Sequence, residues 1–215
     1  MAILRFSGPI STSPQWLGEY GDRNSLLPGG VQVDKYKFTE QYNIRQVSSG
    51  VLLGRRANAF QWEPVNNNLN TVLATTVTAA LAVGVTILPV ATTSGYLAGD
   101  VISVAGTNYT IATNGVSDYN STLTITAALS AAVASGASVA LAAAVPMDDF
   151  YLLAYDIEDA NQNPDATLCR HQSLVYYDYL PDYPFTNLPN VLAKIQSLYQ
   201  TMRAGRGTPQ PDTNY

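Results

Sequence analysis

Residues 101–111 read VISVAGTNYTI, and this stretch indicates the fold class most directly. Aliphatic residues fill its first four positions apart from Ser103, as is typical of a strand. The Gly106-Thr107-Asn108 turn then separates this run from a second extended run, Tyr109–Ile111. Two such runs joined by a Gly-containing turn predict a β-hairpin.

Further short runs of the same kind surround the predicted hairpin. They are Val83–Leu88, Leu123–Thr126 and Val139–Leu141, with turn residues between them. Evenly spaced strands separated by turns predict a small sandwich or barrel of about five strands. Ala127–Ser135 is expected to form one helical turn within it.

The charge distribution divides the chain. No Lys or Arg occurs between residues 57 and 169, and the only charged residues between 65 and 147 are Asp100 and Asp118. We interpret residues 66–146 as a β module inserted at the Asn66-Asn67-Asn68 turn, because compact domains tolerate insertions at polar loop tips. The other predicted regions are an arm (1–30), a β core (31–65 plus 147–185), and a helix with a tail (186–215).

The flanking regions have their own secondary-structure signals. Residues 32–39 alternate apolar with polar side chains, and Phe150–Tyr155 and Leu174–Tyr179 are further predicted strands. One helix is expected after Asn187, which is its predicted cap, with Pro189 in the first turn. Its apolar stripe consists of Leu188, Val191, Leu192, Ile195, Leu198, Tyr199 and Met202. The sequence therefore predicts a mainly β protein: a small β-barrel or sandwich core with an inserted second small β domain, an extended N-terminal arm and one C-terminal helix.

Composition excludes several functional classes. Of the 215 residues, 47% are hydrophobic and 13% are charged, with a net charge of −5. An acidic chain with few Lys and Arg residues lacks the electrostatic signature of a nucleic-acid binder. A single cysteine and a single histidine rule out sites with several thiolate or imidazole ligands. We expect no cofactor and no bound metal.

Three motifs resemble parts of known catalytic or metal-binding sites but lack residues that those sites require. Cys169-Arg170-His171 places a thiol near an imidazole, but we interpret the pair as structural because no orienting third group is implied. The Asp159–Asp165 loop has the early spacing of a calcium site, yet Pro164 replaces the required glycine and Arg170 stands in place of the closing Glu. Asp148-Asp149 is expected to be a solvated pair rather than a glycosidase dyad. The prediction is that the protein is not an enzyme.

No membrane segment or secretory signal is expected. Residues 1–9 carry one basic residue and are interrupted by Gly8 and Pro9, unlike a signal peptide. The two long uncharged stretches, 69–91 and 121–145, are rich in Thr, Ser and Gly and suit strands better than a membrane helix.

The first 30 residues show no lasting period, although they contain large apolar side chains. We predict an arm that a partner surface orders, with Leu4, Phe6, Trp16, Leu17 and Tyr20 as its contact residues. The alternative is a segment that lies over the protein's own core.

A second predicted contact involves the helix and the tyrosines before it. Val191, Ile195, Leu198 and Tyr199, together with Tyr176 and Tyr179, are the candidates for contacts between protomers or with a neighbouring protein. Tyrosine is enriched at protein interfaces, although the tyrosines at 176, 177, 179 and 183 are also compatible with stacking on sugars. The simplest interpretation of the helix stripe alone is packing against the core.

Several segments resemble a known family. Residues 47–55, VSSGVLLGR, followed by Phe60–Pro64, resemble the turn and strand of the head-decoration (cement) proteins of tailed bacteriophages. Phe150–Asp159 and Leu168–Tyr177 are similar to later strands of that family. The inserted module, with residues 85–87, 95–104 and 109–111, looks like a β module common in phage structural proteins.

This resemblance implies a function and a location. Such proteins bind the outside of an expanded capsid in the virion, after assembly in the host cytoplasm, and bridge neighbouring copies of the major capsid protein, usually as homotrimers. The resemblance therefore implies a capsid decoration protein whose partners are the phage major capsid protein and itself. The alternative is a receptor-binding, adhesin-like module of a phage tail or fibre that recognises surface glycans.

Overall fold

The computed structural model describes residue 17, residues 26–27, 30–34, 40–41, 44–45, 47–157 and 165–203. The chain divides into two compact units. We call the first, which consists of Met1–Gly54, Glu63–Asn68 and Phe150–Tyr215, the core unit. The second, the inserted unit, consists of Arg55–Trp62 and Leu69–Asp149.

The described residues contain 17 strands and one α-helix, which confirms the predicted mainly β fold with one helix. The first strands are β1 (Val31–Gln32), β2 (Glu40–Gln41), β3 (Ile44–Arg45), β4 (Leu52–Arg55) and β5 (Glu63–Pro64). They are followed by β6 (Asn70–Thr71), β7 (Ala74–Thr76), β8 (Ile87–Pro89), β9 (Val101–Val104), β10 (Thr107–Ser117), β11 (Thr122–Ile125), β12 (Ser138–Leu141) and β13 (Val145–Pro146). The last elements are β14 (Asp149–Leu152), β15 (Asp165–Ala166), β16 (Leu174–Tyr176), α1 (Pro189–Leu198) and β17 (Gln200–Met202).

The core unit is built from small sheets. Strands β14, β4 and β5 form a three-stranded sheet in that order, and β1 pairs with β15, β2 with β3, and β16 with β17. The last pair is parallel, with Val175 opposite Thr201. The centre of the core unit contains four leucines that are almost completely buried: Leu52, Leu53, Leu152 and Leu153. Short strands therefore bury an apolar centre, and among the described residues of the core unit the largest sheet has three strands.

Helix α1 packs one face into the core unit. Val191 and Ile195, four residues apart, are 0% and 1% exposed. Side chains four residues apart lie on the same face of a helix, which is why these two are buried together, while Leu188, Leu192 and Leu198 of the stripe are half-buried. The helix is preceded by Leu188 as N-cap without a side-chain cap, so the prediction of Asn187 as the cap is wrong, whereas Pro189 does lie in the first turn.

The inserted unit contains a curled sheet of six strands in the order β7-β12-β9-β10-β11-β8. Beyond the ends of the two outer strands, Val77 and Val90 form an isolated antiparallel bridge. The nitrogen of Thr78 also donates to the carbonyl of Pro89 at 2.9 Å. The sheet is therefore curled into a half-barrel whose outer strands meet at this point.

Alternation along the strands places the core of this unit on the inner side of the sheet. In β9, Ile102 and Val104 are buried while Val101 is exposed, and Leu123 and Ile125 of β11 are buried in the same way. The remaining buried members of the same cluster are Leu73, Val77, Leu88, Val90, Tyr96, Tyr109, Ile111, Leu129, Val133 and Val139. Burial of one face by a two-residue period explains why the sequence pattern predicts these strands well.

The predicted hairpin is present, but its turn lies one residue earlier. Strands β9 and β10 pair with Thr107 opposite Val104, so the central residues of the turn are Ala105 and Gly106. Both have positive φ, 48° and 84°, as a type I′ turn requires. Thr107 and Asn108, which were predicted as turn residues, belong to the strand.

Three other local predictions need correction. Residues 127–135 contain turns, bends and a bridge but no helical turn. The predicted strand at 174–179 ends at Tyr176, because Tyr177–Tyr179 form a short 3-10 helix. Strand β7, which pairs with β12, was not predicted. Residues 35–39 of the predicted strand at 32–39 lie outside the described residues.

The boundaries between the units differ from the predicted ones in four respects. The longer segment of the inserted unit begins at Leu69 rather than at residue 66, and it ends at Asp149 rather than at residue 146. It also includes Arg55–Trp62, a segment that the sequence assigned to the core. Helix α1, predicted as part of a separate C-terminal region, belongs to the core unit.

A buried ion pair explains why Arg55–Trp62 belongs to the inserted unit. The guanidinium of Arg56 donates two hydrogen bonds to the carboxylate of Asp100, at 2.9 and 2.8 Å, and a third to the carbonyl of Gly95. The two side chains are only 4% and 12% exposed. The neighbouring Arg55 also pairs within the unit, with Asp149 at 2.5 Å, but that pair is much more exposed.

None of the described residues belongs to a helix long and apolar enough to cross a membrane.

We expect Arg56→Met to destabilise the inserted unit by about 3–5 kcal/mol, because it leaves the carboxylate of Asp100 buried without its cation. The matched control is Arg55→Met, which breaks the exposed pair and should cost less than about 1 kcal/mol. Urea unfolding followed by circular dichroism measures both free energies of unfolding. Equal losses in the two variants would contradict the structural role given to Arg56.

We expect Gly115→Ala to destabilise the protein by about 1–3 kcal/mol, as overpacking does in a filled interior. A Cβ at this position would lie 2.5 Å from the carbonyl oxygen of Thr124 and 2.7 Å from that of Ala112. Both neighbours are backbone atoms, and the register of β10 against β11 shifts in this region. Thermal unfolding is the measurement, and Asn108→Ala, at an exposed position of the same strand, is the control that should change little.

Candidate functional site

The predicted arm contacts lie mostly outside the described residues. Leu4, Phe6, Trp16 and Tyr20 are among the residues not described. Leu17 is described: it is 7% exposed and forms an isolated antiparallel bridge with Val175 of β16. Its side chain is therefore packed within the core unit, as expected of a segment that lies over its own core.

Three of the predicted helix contacts are core residues. Val191, Ile195 and Tyr199 are buried, whereas Leu198 is half-buried. Burial leaves the first three no surface for a neighbouring protein, so they do not form a contact site in this structure. The amphipathic stripe reflects packing of the helix within its own unit.

Tyr199 connects two strands of the core unit through its hydroxyl. The hydroxyl accepts a hydrogen bond from the nitrogen of Leu152 at 2.9 Å and donates one to the carbonyl of Cys169 at 3.1 Å. Burial raises the pKa of this hydroxyl well above its usual value. The side chain therefore stabilises the core as a neutral phenol.

The Cys169–His171 pair is embedded in the same region, and each side chain has its own surroundings. Nε2 of His171 lies 2.7 Å from the carbonyl oxygen of Phe150, and its ring stacks on Tyr151 with centroids 4.1 Å apart. Cys169 is 0% exposed, and its Sγ lies 3.8 Å from the carbonyl oxygen of Arg170. Desolvation raises the pKa of the thiol to about 11. A buried thiol with a raised pKa is a poor nucleophile at neutral pH.

A group of tyrosines forms the most distinctive exposed feature of the core unit. We call it the tyrosine surface and define it as Tyr176, Tyr177, Tyr179, Tyr183, Met202 and Arg203. The four tyrosines are half-buried, and Met202 is 52% exposed. Tyr176 and Tyr179 were predicted as contact residues, and the structure brings them together.

The local backbone explains how these rings come to lie side by side. The 3-10 helix Tyr177–Tyr179 follows β16 directly, and residues three apart lie on one side of such a helix. Tyr176 and Tyr179 consequently meet edge to face, with ring centroids 6.4 Å apart. Tyr177 packs against Tyr183 at 6.2 Å.

Two charged side chains, Arg203 and Asp182, lie at or beside the tyrosine surface. The guanidinium of Arg203 donates to the hydroxyl of Tyr183 at 3.4 Å. Asp182, beside Tyr183, is half-buried, and burial raises the pKa of its carboxyl. Tyrosine, methionine and arginine are the side chains enriched at protein–protein interfaces, where they supply rigid apolar area with a polar edge. The arrangement therefore suits binding to another protein.

The positions of Met202 and Arg203 were not predicted as part of a site. They follow from the parallel pairing of β17 with β16, which brings residues 200–203 beside the tyrosines. The two paired strands are 26 residues apart in the chain. The residue pattern of one strand does not indicate which other strand it pairs with, so the sequence gives no local signal for this pairing. The apolar Met202 was predicted only as the end of the helix stripe.

Strand β16 is also where both terminal segments join the core unit. Leu17 bridges Val175, and Val175 is the partner of Thr201 in β17. Residues 1–16 precede the first of these contacts in the chain, and residues 204–215 follow β17. The tyrosine surface therefore lies beside the strand that both Leu17 and β17 contact.

Among the residues that the structure describes, no group of three or more His, Cys, Asp or Glu side chains is placed to hold a metal ion. Residues 158–164 of the Asp159–Asp165 loop lie outside the described part of the chain.

The chain was compared with protein-family models, with curated proteins and with solved structures, and none of the three comparisons found a match.

We expect Cys169 of the native protein to be almost unreactive towards thiol reagents. With a pKa of about 11, roughly one thiol in a thousand is ionised at pH 8, and the side chain has no exposed surface. Reaction with a chromogenic disulfide should therefore be slow at pH 8 and become complete on unfolding in guanidinium chloride. Rapid stoichiometric reaction of the folded protein would contradict the described burial.

Proposed function

We propose that this protein is a structural virion protein that binds the outside of a tailed-phage capsid and cements neighbouring major capsid proteins. The tyrosine surface is the observation that carries the proposal. It consists of two pairs of tyrosine rings, with Met202 opposite Tyr176 in the β16–β17 pairing and Arg203 on the hydroxyl of Tyr183. Tyrosine, methionine and arginine are side chains enriched in protein-binding surfaces. The resemblance of residues 47–55, 60–64, 150–159 and 168–177 to head-decoration proteins suggests the identity of the partner.

In this proposal the protein acts as a clamp rather than as a catalyst. Internal pressure from packaged DNA pulls capsomers apart, and a ligand that binds only the assembled shell adds its binding free energy to the closed state. Many copies on one shell multiply a modest individual affinity. The proposed partners are the major capsid protein and other copies of the chain in a homotrimer, and the proposed location is the capsid exterior.

The proposal retains the predicted N-terminal arm as a shell contact, but with fewer contact residues. Leu17 is buried within the core unit, so its side chain is not available to a shell. The contact residues proposed for the arm are therefore Leu4, Phe6, Trp16 and Tyr20. In the proposal the arm and the tyrosine surface both contact the shell.

We expect Tyr176→Ala with Tyr179→Ala to weaken binding to shells by about tenfold or more, because truncation of interface tyrosines commonly removes 1–2 kcal/mol or more each. The assay is co-sedimentation of the purified chain with expanded empty heads that lack it, prepared from the phage that carries its gene. Tyr155→Ala is the matched control, since this tyrosine is 44% exposed in the core unit but outside the tyrosine surface.

The outcomes separate capsid cement from the adhesin alternative. Saturable binding to heads, lost in the Tyr176/Tyr179 variant and kept in the Tyr155 variant, supports the proposal. Failure of the wild-type protein to bind heads overturns it. Binding to host cells or their glycans in the absence of head binding would favour the adhesin-like module instead. Thermal unfolding of each variant checks that the core unit remains folded.

A further inference from the structure

The inserted unit displays two highly exposed aromatic rings at one end. Phe60 is 76% exposed and Tyr119 is 97% exposed, whereas Trp62, Tyr96 and Tyr109 of the same unit are almost completely buried. Isolated aliphatic residues at a surface need no explanation, but exposed aromatic rings are the side chains that most often anchor protein contacts.

Both rings belong to loops that meet at this end. Residues 118–121 connect β10 to β11, and residues 92–95 lie between β8 and β9. The hydroxyl of Thr93 donates to the carboxylate of Asp118 at 2.5 Å, and the hydroxyl of Ser94 donates to the side-chain oxygen of Gln61 at 3.3 Å. We call residues 57–61, 92–95 and 118–121 together the loop end of the inserted unit.

The loop end is held in place by groups beneath it. Arg56 binds the carbonyl of Gly95 and the carboxylate of Asp100, which anchors the segment that carries Phe60. The nitrogen of Ala59 donates to the carbonyl of Arg56 at 3.1 Å. The hydroxyl of Tyr96 donates to the carbonyl of Val139 at 2.9 Å. Loops that are ordered before binding lose less conformational entropy when a partner docks.

The chemistry of the loop end is that of a recognition surface. Its thirteen residues are Ala, Asn, Phe, Gln, Thr, Ser, Gly and Tyr, with Asp118 as the one charged residue. Rigid aromatic rings surrounded by Ser, Thr, Asn and Gly are the composition of antibody-type binding loops, in which the rings supply area and the small polar residues adapt their hydrogen bonds. The carboxylate of Asp118 already accepts the hydrogen bond of Thr93.

We propose that the loop end of the inserted unit is a second docking site for the protein shell, with Phe60 and Tyr119 as its anchors. The inference rests on the proposed function and deepens it, since a clamp needs more than one contact. The side chain of Phe60 has no polar atom, so it gains from an apolar recess in a protein surface rather than from the hydroxyls of a sugar. The nearly uncharged loops would meet a neutral protein surface without leaving a charge unpaired, and they disfavour polyanions such as nucleic acids.

The test compares two double variants of the full-length chain in the head co-sedimentation assay. Phe60→Ala with Tyr119→Ala removes both anchors. Val83→Ala with Ile87→Ala is the matched control, because these side chains are 61% and 53% exposed in the same unit but lie outside the loop end, with Ile87 opposite Thr124 within the sheet. We expect about tenfold weaker binding for the first variant and less than about twofold change for the second.

A photoreactive phenylalanine analogue at position 119 supplies an independent readout that needs no loss of binding. Illumination of loaded heads should produce a covalent product with the major capsid protein, and the same analogue at position 83 should not. The cross-linking measurement tests the same inference even if the Phe60/Tyr119 variant fails to fold.

Each outcome bears on the inference separately from the proposed function. Wild-type binding that the Tyr176/Tyr179 variant loses and the Phe60/Tyr119 variant keeps, without cross-linking from position 119, overturns the inference and leaves the function in place. Failure of the wild-type chain to bind heads overturns both. Loss of adhesion to host cells by the Phe60/Tyr119 variant, with head binding unchanged, would make the loop end a glycan site and overturn the inference.

Discussion

The buried ion pair between Arg56 and Asp100 is the interaction on which the organisation of the inserted unit depends. Without it, the segment Arg55–Trp62 would belong to this unit only through the exposed Arg55–Asp149 pair and weaker contacts. The guanidinium also binds the carbonyl of Gly95, so the same cation holds the loop between β8 and β9. A buried charge is tolerated only with full pairing, and here two hydrogen bonds to one carboxylate supply it.

The scarcity of charge in this unit has a structural consequence as well. Asp100 and Asp118 are its only charged residues between positions 65 and 147, and each carboxylate accepts hydrogen bonds from within the unit. Stability must therefore come from the apolar cluster inside the curled sheet. The surface that remains is rich in Thr, Ser, Ala and Asn with a few exposed apolar side chains, and covering such a surface costs less desolvation than covering a charged one.

In the core unit, the elements that bury the helix are adjacent to the proposed binding surface. Helix α1 buries Val191 and Ile195, and Tyr199 directly after it donates and accepts buried hydrogen bonds. Strand β17 then pairs with β16 and brings Arg203 to Tyr183. The tyrosine surface is thus positioned by elements that are themselves fixed by burial, which keeps its rings rigid. Rigid rings bind with a smaller loss of conformational entropy than flexible side chains.

The sequence by itself determined the mainly β class, the hairpin of β9 and β10, and the helix with Pro189 in its first turn. These features depend on local periodicity and turn chemistry, which a single strand or helix carries within its own residues. Only the tertiary structure decided that Val191 and Ile195 are covered by the core unit, that Arg56 belongs with Asp100, and that Phe60 and Tyr119 remain exposed. The physical reason is that a residue pattern specifies which face of an element is apolar, whereas what covers that face depends on segments distant in the chain.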